Sequence, residues 1–561
     1  MAFLFRLIWS VLSLPFRLLK KIRFLPSRAY VEVTLDGAVS DLPTRQTLMD
    51  LLRPRPRASL SALFDLTQEV AQDRALTGLV LVVKNPLWGL AQAESAAAML
   101  RKLKSAGKEV IVHLPFGGDS KSALLAGEAT QVFLGPEALY APLGVRLRRR
   151  YFGEALRRAG LQPEVYAKGR YKSAGDMIQR ESMSDDDHEQ LGRILDATYE
   201  SLSKALAKRE GVLTVERAAE VIDQAPYHGE KAKEARLVDE IAYDDELQSK
   251  LGADGKDAAF IPAQAYLARH RARLMPKLSA ARIAIVPLHG AITSGMPNGR
   301  GATDEGLARL LRIARKDPRV AAVVLHIDSP GGSALASDRM HREIVRTVKE
   351  KPVVACMGNV AASGGYYAAA ACQEIFASPL TLTGSIGVVT ARMVVDPLLA
   401  RFGVHADGIQ RGANAGLMDP FSPLSDEEKV ALDRELDAVY DGFVRVVAKG
   451  RKLGEERVRE LAEGRVWTGA DAYDRGLVDH LGGLTDAIDR ARELANSPKA
   501  EPVVVHANRL QSMFDPSAAA HMALVSSLGL PAGLTASVQS TLMPLSLLRE
   551  PVLLWSNIEV E

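Results

Sequence analysis

Ala321-Ala-Val-Val-Leu-His-Ile-Asp-Ser-Pro-Gly-Gly332 and Lys351-Pro-Val-Val-Ala-Cys-Met-Gly-Asn-Val-Ala-Ala-Ser-Gly-Gly365 decide the fold. Each opens on a short, continuous apolar run, Val323–Ile327 and Val353–Met357. Such runs, bounded by turn residues, read as strands of a parallel sheet covered on both faces. Each run ends in a turn rich in Gly and Ser. In the second, Ser363 stands where a strand gives way to the small apolar run Tyr366–Ala371. A serine at the start of a helix, beside backbone amides without intrahelical partners, is a candidate nucleophile with an anion site next to it.

Working outward, the 561-residue chain exceeds what one core holds, so two or three domains are expected. Its 71 basic and 68 acidic residues leave a net charge of +3, too balanced to make nucleic acid the main partner. Cys356 and Cys372 have neither metal-ligand nor disulfide spacing and read as small buried hydrophobes.

A long internal repeat organises the chain. Val31–Gly37 resembles Ile285–Gly290, and Leu79–Val83 resembles Val323–Ile327. Lys108–Val112 resembles Lys351–Ala355, and Gly229 with Leu237-Val-Asp239 resembles Gly469 with Leu477-Val-Asp479. The charged stretch 184–225 has its counterpart at 425–463, and 254–277 reads as the link between copies. Strands alternating with amphipathic helices in both copies make each an α/β layered unit. The copies differ at the turns. Lys84-Asn-Pro-Leu-Trp88 replaces Asp328-Ser-Pro-Gly-Gly332, and Ser120, opposite Ser363, has lost the flanking glycines and reads as structural. Conversely, Gly169-Arg-Tyr-Lys-Ser173 stands opposite Gly412-Ala-Asn-Ala-Gly416, which puts Lys172 opposite Ala415. One copy keeps the serine in its setting; the other keeps a lysine.

At the N-terminus, the uncharged run Leu7–Phe16 is flanked by Arg6, Arg17, Lys20, Lys21 and Arg23. Ten residues fall short of the roughly 20 that span a bilayer, so a span requires the flanking cations to snorkel. An amphipathic anchor lying on the membrane fits as well. Residues 516–548 carry no charged side chain, but prolines and glycines interrupt them. The organisation expected is an anchor at 1–27, a first repeat at 28–270, a second at 280–495 and an extension at 496–561.

A serine hydroxyl needs a base. His326 and His341 are the nearest histidines in sequence, with Asp328 and Asp338 to orient them. One sits on an apolar strand and the other on a charged helix, and both read as structural. A lysine serves as base only when neutral, which burial favours. The complementary loss between copies makes Lys172 the candidate, with its like-charged neighbours Lys168 and Arg170 expected to depress its pKa further.

Asp328-Ser-Pro-Gly-Gly332, Ala362-Ser-Gly-Gly-Tyr366, Thr383-Gly-Ser-Ile-Gly-Val388 and Val466-Trp-Thr-Gly469 with Gly476-Leu-Val-Asp479 together resemble the signal peptide peptidase A family of serine peptidases (family S49), in its long, tandem-duplicated form. The resemblance covers about 31–495. It implies an α/β fold of two tandem ClpP/crotonase-like domains with an N-terminal membrane-anchor segment. It implies Ser363 as nucleophile, Lys172 as general base, amides of Gly332 and Gly364 as oxyanion hole, and Ser385 as the residue orienting the lysine. It further implies an endopeptidase without metal or cofactor, acting on cleaved signal peptides and other membrane-associated peptides. The expected setting is a bacterial inner membrane, with catalytic domains on the periplasmic side and a homo-oligomer, a tetramer. Two other readings remain at this stage: a crotonase-like acyl-CoA enzyme, which would need neither Ser363 nor Lys172, and a non-catalytic membrane scaffold.

Overall fold

The computed structural model describes residues 28–43, 58–209, 212–270, 281–296, 301–419, 421–506 and 552–554. The expected anchor at 1–27 and the uncharged stretch 516–548 lie outside the described residues. The chain divides into two compact units, 1–146 with 195–280, and 147–194 with 281–561.

In the first unit, six parallel strands lie in the order Ala259–Pro262, Ala29–Ala38, Gly78–Leu87, Glu109–Leu114, Gln131–Leu134 and Glu240–Ile241. The stretch read as a link thus supplies an edge strand, Ala259–Pro262, and the helix Ala263–His270. The apolar run Ala258–Ile261 is short, and pairing with Ala29–Glu32 makes the strand. Leu79–Val83 is buried throughout, as a parallel sheet covered on both faces requires.

The second unit repeats this order: Glu501–Val504, Arg282–His289, Val320–Ser329, Val353–Ala362, Glu374–Ala377 and His480–Leu481, all parallel. Both runs that opened the sequence reading are buried central strands. Strand 501–504 extends the repeat past 495 into the region expected to be an extension. Hydrogen bonds of local capping fix the helices on this sheet. Thr303 accepts from Gly306 N ahead of Asp304–Lys316, and Ser333 accepts from Ala336 N ahead of Ala334–Val348. Leu307, Leu311, Met340 and Ile344 from these helices join Tyr366 and Phe443 in the core, and both cysteines are buried and outside any disulfide.

Two features of this unit position the site. Strand Val353–Ala362 is longer than Glu374–Ala377 beside it, and its far end leaves that strand to pair with Leu382–Gly384, which in turn pairs antiparallel with Val466–Thr468. The segment 147–194, part of the first sequence repeat, belongs to this second unit. Its strand Gln162–Lys168 pairs antiparallel with Val388–Val394, Lys168 opposite Val388. The same small sheet holds Gly331–Ser333, with the backbone of Val552–Leu554 running antiparallel to it and pairing with Val389 on the other side.

The Tyr366 hydroxyl, fully buried, donates to Leu477 O at 2.8 Å and ties the motif after Ser363 to Gly476-Leu-Val-Asp479. Tyr366→Phe is expected to destabilise the protein by about 1–2 kcal/mol in urea unfolding, by leaving a buried carbonyl one partner short.

Candidate active site

Ser363 follows the last residue of the central strand Val353–Ala362 and caps the six-residue helix Gly364–Ala369. Its φ is +55° and ψ −115°, a region that a non-glycine residue occupies only when its surroundings hold it there. They do so on both sides: Ser363 N donates to Gly384 O at 2.8 Å, and Tyr367 N donates to Ser363 O at 2.8 Å. Gly364 begins the helix, where the backbone N–H has no intrahelical acceptor. Gly332 has φ +155°, and a Cβ there would stand 2.0 Å from Ile292 O, so only glycine lets the two strands approach. Gly364 packs against the same turn, its missing Cβ 3.3 Å from Gly331 Cα.

Lys172 precedes the short 3-10 turn Ser173–Gly175. Its Nζ lies 2.8 Å from Ser363 Oγ, 2.9 Å from Ser385 O and 3.0 Å from Ser385 Oγ. Only 5% of the residue is exposed. Ser385, at φ +51°, is itself held by its N–H to Arg465 O at 2.7 Å. All three partners of the amine are neutral oxygens, and burial holds its pKa well below the ordinary 10.5. The expected help from like charges is absent. Lys168 is paired with Asp433 and Asp437, each at 2.8 Å, and Arg170 with Asp186 at 2.6 Å, so desolvation alone depresses the lysine. A neutral amine has two N–H donors and one lone pair. That inventory suits two bonds donated to Ser385 and one accepted from the Ser363 hydroxyl.

The histidines are engaged elsewhere. His326 Nδ1 is 2.7 Å from His289 Nε2, and burial pushes its pKa down to about 4. His341 lies edge-on to the Tyr367 ring. Asp328 accepts from Val360 N and Asp338 from the Tyr367 hydroxyl. In the first unit Ser120 donates to Gly144 O from the first turn of a helix capped by Asp119. Ala415, opposite Lys172 in the repeat, is exposed.

Sequence reading missed the bed beneath the lysine. Tyr171 N donates to Glu463 O at 2.7 Å. Gly464 has φ +71°, and a Cβ there would come within 2.6 Å of the Lys172 Cβ. Ser173 Oγ donates to Asp187, which is paired with Arg149 at 2.5 Å, both almost wholly buried. Asp187 sits in the run Asp185-Asp-Asp187, which in sequence looks like a solvated helix start.

A buried lysine whose pKa is held down makes folding depend on pH. The unfolded chain protonates Lys172 near 10.5 and the folded chain only at lower pH, so the unfolded state binds more protons between the two values. Folding stability therefore rises with pH across that window. Lys172→Met is expected to remove this slope: in urea unfolding across neutral to alkaline pH, the stability difference between variant and wild type should drift in favour of wild type as pH approaches 10.5.

Peptidase family S49 matches this chain over residues 102–257 and 346–497, and the Clp protease family matches 288–382. The chloroplastic serine protease SPPA of Arabidopsis thaliana is 34% identical over 486 residues, covering 84% of this chain and 71% of that protein. Protease 4 of Haemophilus influenzae is 31% identical over 501 residues, covering 85% of this chain and 81% of its own length. Protease 4 of Salmonella typhi is 30% identical over 492 residues, covering 84% and 79%. With two tandem matches, two α/β units of the same strand order and relatives aligned over most of its length, the chain belongs to peptidase family S49, as a serine-type peptidase built on a duplicated ClpP-like fold.

Proposed function

We propose that this serine peptidase works through a Ser363–Lys172 dyad and cleaves signal peptides and other membrane-associated peptides. The observation that carries the dyad is the 2.8 Å approach of a buried lysine amine to Ser363 Oγ, with His326 bonded to His289 and His341 packed against the Tyr367 ring. In the first step neutral Lys172 takes the Ser363 proton as Oγ bonds to the peptide carbonyl carbon. The oxyanion is held by the amides of Gly332 and Gly364. Collapse breaks the C–N bond, and the Lys172 ammonium returns its proton to the leaving amine. Water, deprotonated by Lys172, then attacks the acyl-enzyme carbonyl; collapse breaks the ester C–O bond, and the Lys172 ammonium returns its proton to Ser363 Oγ. Ser385 orients the amine throughout by accepting from it.

A peptide substrate fits the small sheet beside Ser363. The backbone of 552–554 lies there as an extended strand between Gly331–Ser333 and Val388–Val394. Strand edges that accept this segment have the pattern for adding an extended peptide. The substrate class is supported by the name of an Enterococcus faecium relative, "Putative signal peptide peptidase SppA", 38% identical over 184 residues. Membrane attachment is supported by the basic and apolar residues 1–27. An acyl-CoA enzyme or a scaffold has no need of an amine buried against a strained serine.

The chain is also proposed to assemble with copies of itself. Residues 402–421 are the repeat counterpart of the segment that carries Lys172. Yet Phe402, Ile409 and Met418 are 77%, 90% and 69% exposed, apolar surface of a kind that marks interfaces.

Ser363→Ala and Lys172→Ala are each expected to lower hydrolysis of dye-labelled casein by about 10⁴-fold or more with folding intact by circular dichroism. A fluorophosphonate probe should label wild type and leave Ser363→Ala unlabelled; full activity in Lys172→Ala would sink the dyad. Ile409→Asp with Met418→Asp is expected to shift detergent-solubilised protein to a smaller species in light scattering, whereas an unchanged mass would remove this surface from the assembly.

A further inference from the structure

Lys172 reaches Ser363 from a loop, and loops are poor at holding a reacting group to a fraction of an ångström unless something braces them. Beside the Tyr171–Glu463 backbone bond, one side chain braces this loop from beneath. Gln190 lies on the helix Asp185–Leu206, three residues after Asp187, and is 1% exposed. Its Nε2 donates to Tyr171 O at 2.9 Å and to Asp187 Oδ1 at 2.9 Å, while its Oε1 accepts from Val466 N at 3.2 Å. The first bond grips the residue before Lys172. The second joins the Asp187 carboxylate, which holds Ser173, the residue after Lys172. The third grips the strand Val466–Thr468, whose preceding residue Arg465 accepts from Ser385 N. One amide thereby links the backbone on which the lysine rides to the backbone that fixes Ser385.

We propose that Gln190 is a positioning residue for this peptidase, locking the Lys172 loop to the Val466 strand so that amine, Ser363 and Ser385 keep hydrogen-bond distances. The inference rests on the Ser363–Lys172 reading. Both ends of the amide are in use, donor toward oxygen and acceptor toward N–H, so no other side chain of that size reproduces the set. Glutamate would lose the donors and bring a carboxylate against Tyr171 O and Asp187; methionine would keep the volume and lose every bond. In either case the loop loosens, water reaches the amine, and the amine becomes easier to protonate. The charged groups around this loop are the Arg149–Asp187 pair beneath it, Arg170 and Glu189 along its outer side, and Glu463 and Arg465 from the turn before the facing strand. None of them acts electrostatically on Lys172, whose environment is set by burial.

The test is the rate at which a fluorophosphonate labels Ser363 across pH, measured on the full chain. Gln190→Met and Gln190→Glu are expected to label about 10- to 100-fold more slowly than wild type at neutral pH. The midpoint of their pH profile should move upward, so that the gap narrows by about pH 10. Gln190→Met, which changes no charge, carries the same expectation if Gln190→Glu fails to fold. A wild-type rate and midpoint in Gln190→Met, or a uniform slowing at every pH, would overturn the positioning role. Lys172→Ala is the separate arm: it should be slow at every pH, and wild-type labelling there would sink the dyad itself, whatever the Gln190 variants do.

Discussion

An amine without a carboxylate is the constraint on which the rest of this site depends. An ammonium buried among neutral oxygens is costly, so the group gives up its proton instead. Burial therefore holds the pKa of this amine down, and the charged side chains around it are paired with each other. Lys168 and Arg170 are occupied by Asp433, Asp437 and Asp186, and Arg149 by Asp187. The local cations are paired with acids away from the amine, and among the described residues no acid is bonded to it.

Strain is concentrated at the two serines that meet this amine. Ser363 and Ser385 both have positive φ. Each is held by a backbone bond from a different strand, Ser363 N to Gly384 O and Ser385 N to Arg465 O. Those strands pair in sequence: Val353–Ala362 with Leu382–Gly384, and Leu382–Gly384 with Val466–Thr468. The divergence of the long central strand from Glu374–Ala377 is therefore the structural event that builds the site. It opens an edge onto which the Ser385 turn can pack, and the lysine segment follows through Val388–Val394 and Gln162–Lys168.

Duplication explains why the two functional groups are so far apart in sequence. Both units have the same order of six parallel strands, and each burial pattern is that of a sheet covered on both faces. Only the second unit has the Pro-Gly-Gly turn and the glycines after its serine. Segment 147–194 of the first repeat belongs to the second compact unit, so the site is completed by chain from both repeats.

The apolar runs at 79–83, 323–327 and 353–357, the repeat that relates them, and the glycines flanking Ser363 were legible in the sequence, because burial and backbone geometry restrict residue type position by position. Lys172 was legible only as the complement of what the second copy lacks at Ala415. What the linear chain could not disclose is what depends on juxtaposition. The edge strands 259–262 and 501–504 exist because a neighbour offers hydrogen bonds, not because their own pattern demands a strand. Asp187 and Gln190 look like an ordinary solvated helix start until Arg149, Tyr171 and Val466 close around them. The lowered pKa of Lys172 is likewise a property of its enclosure. The sequence supplied a lysine among cations, and only the packing of three separate stretches decided that its neighbours would be paired off, its solvent excluded, and its amine left facing Ser363.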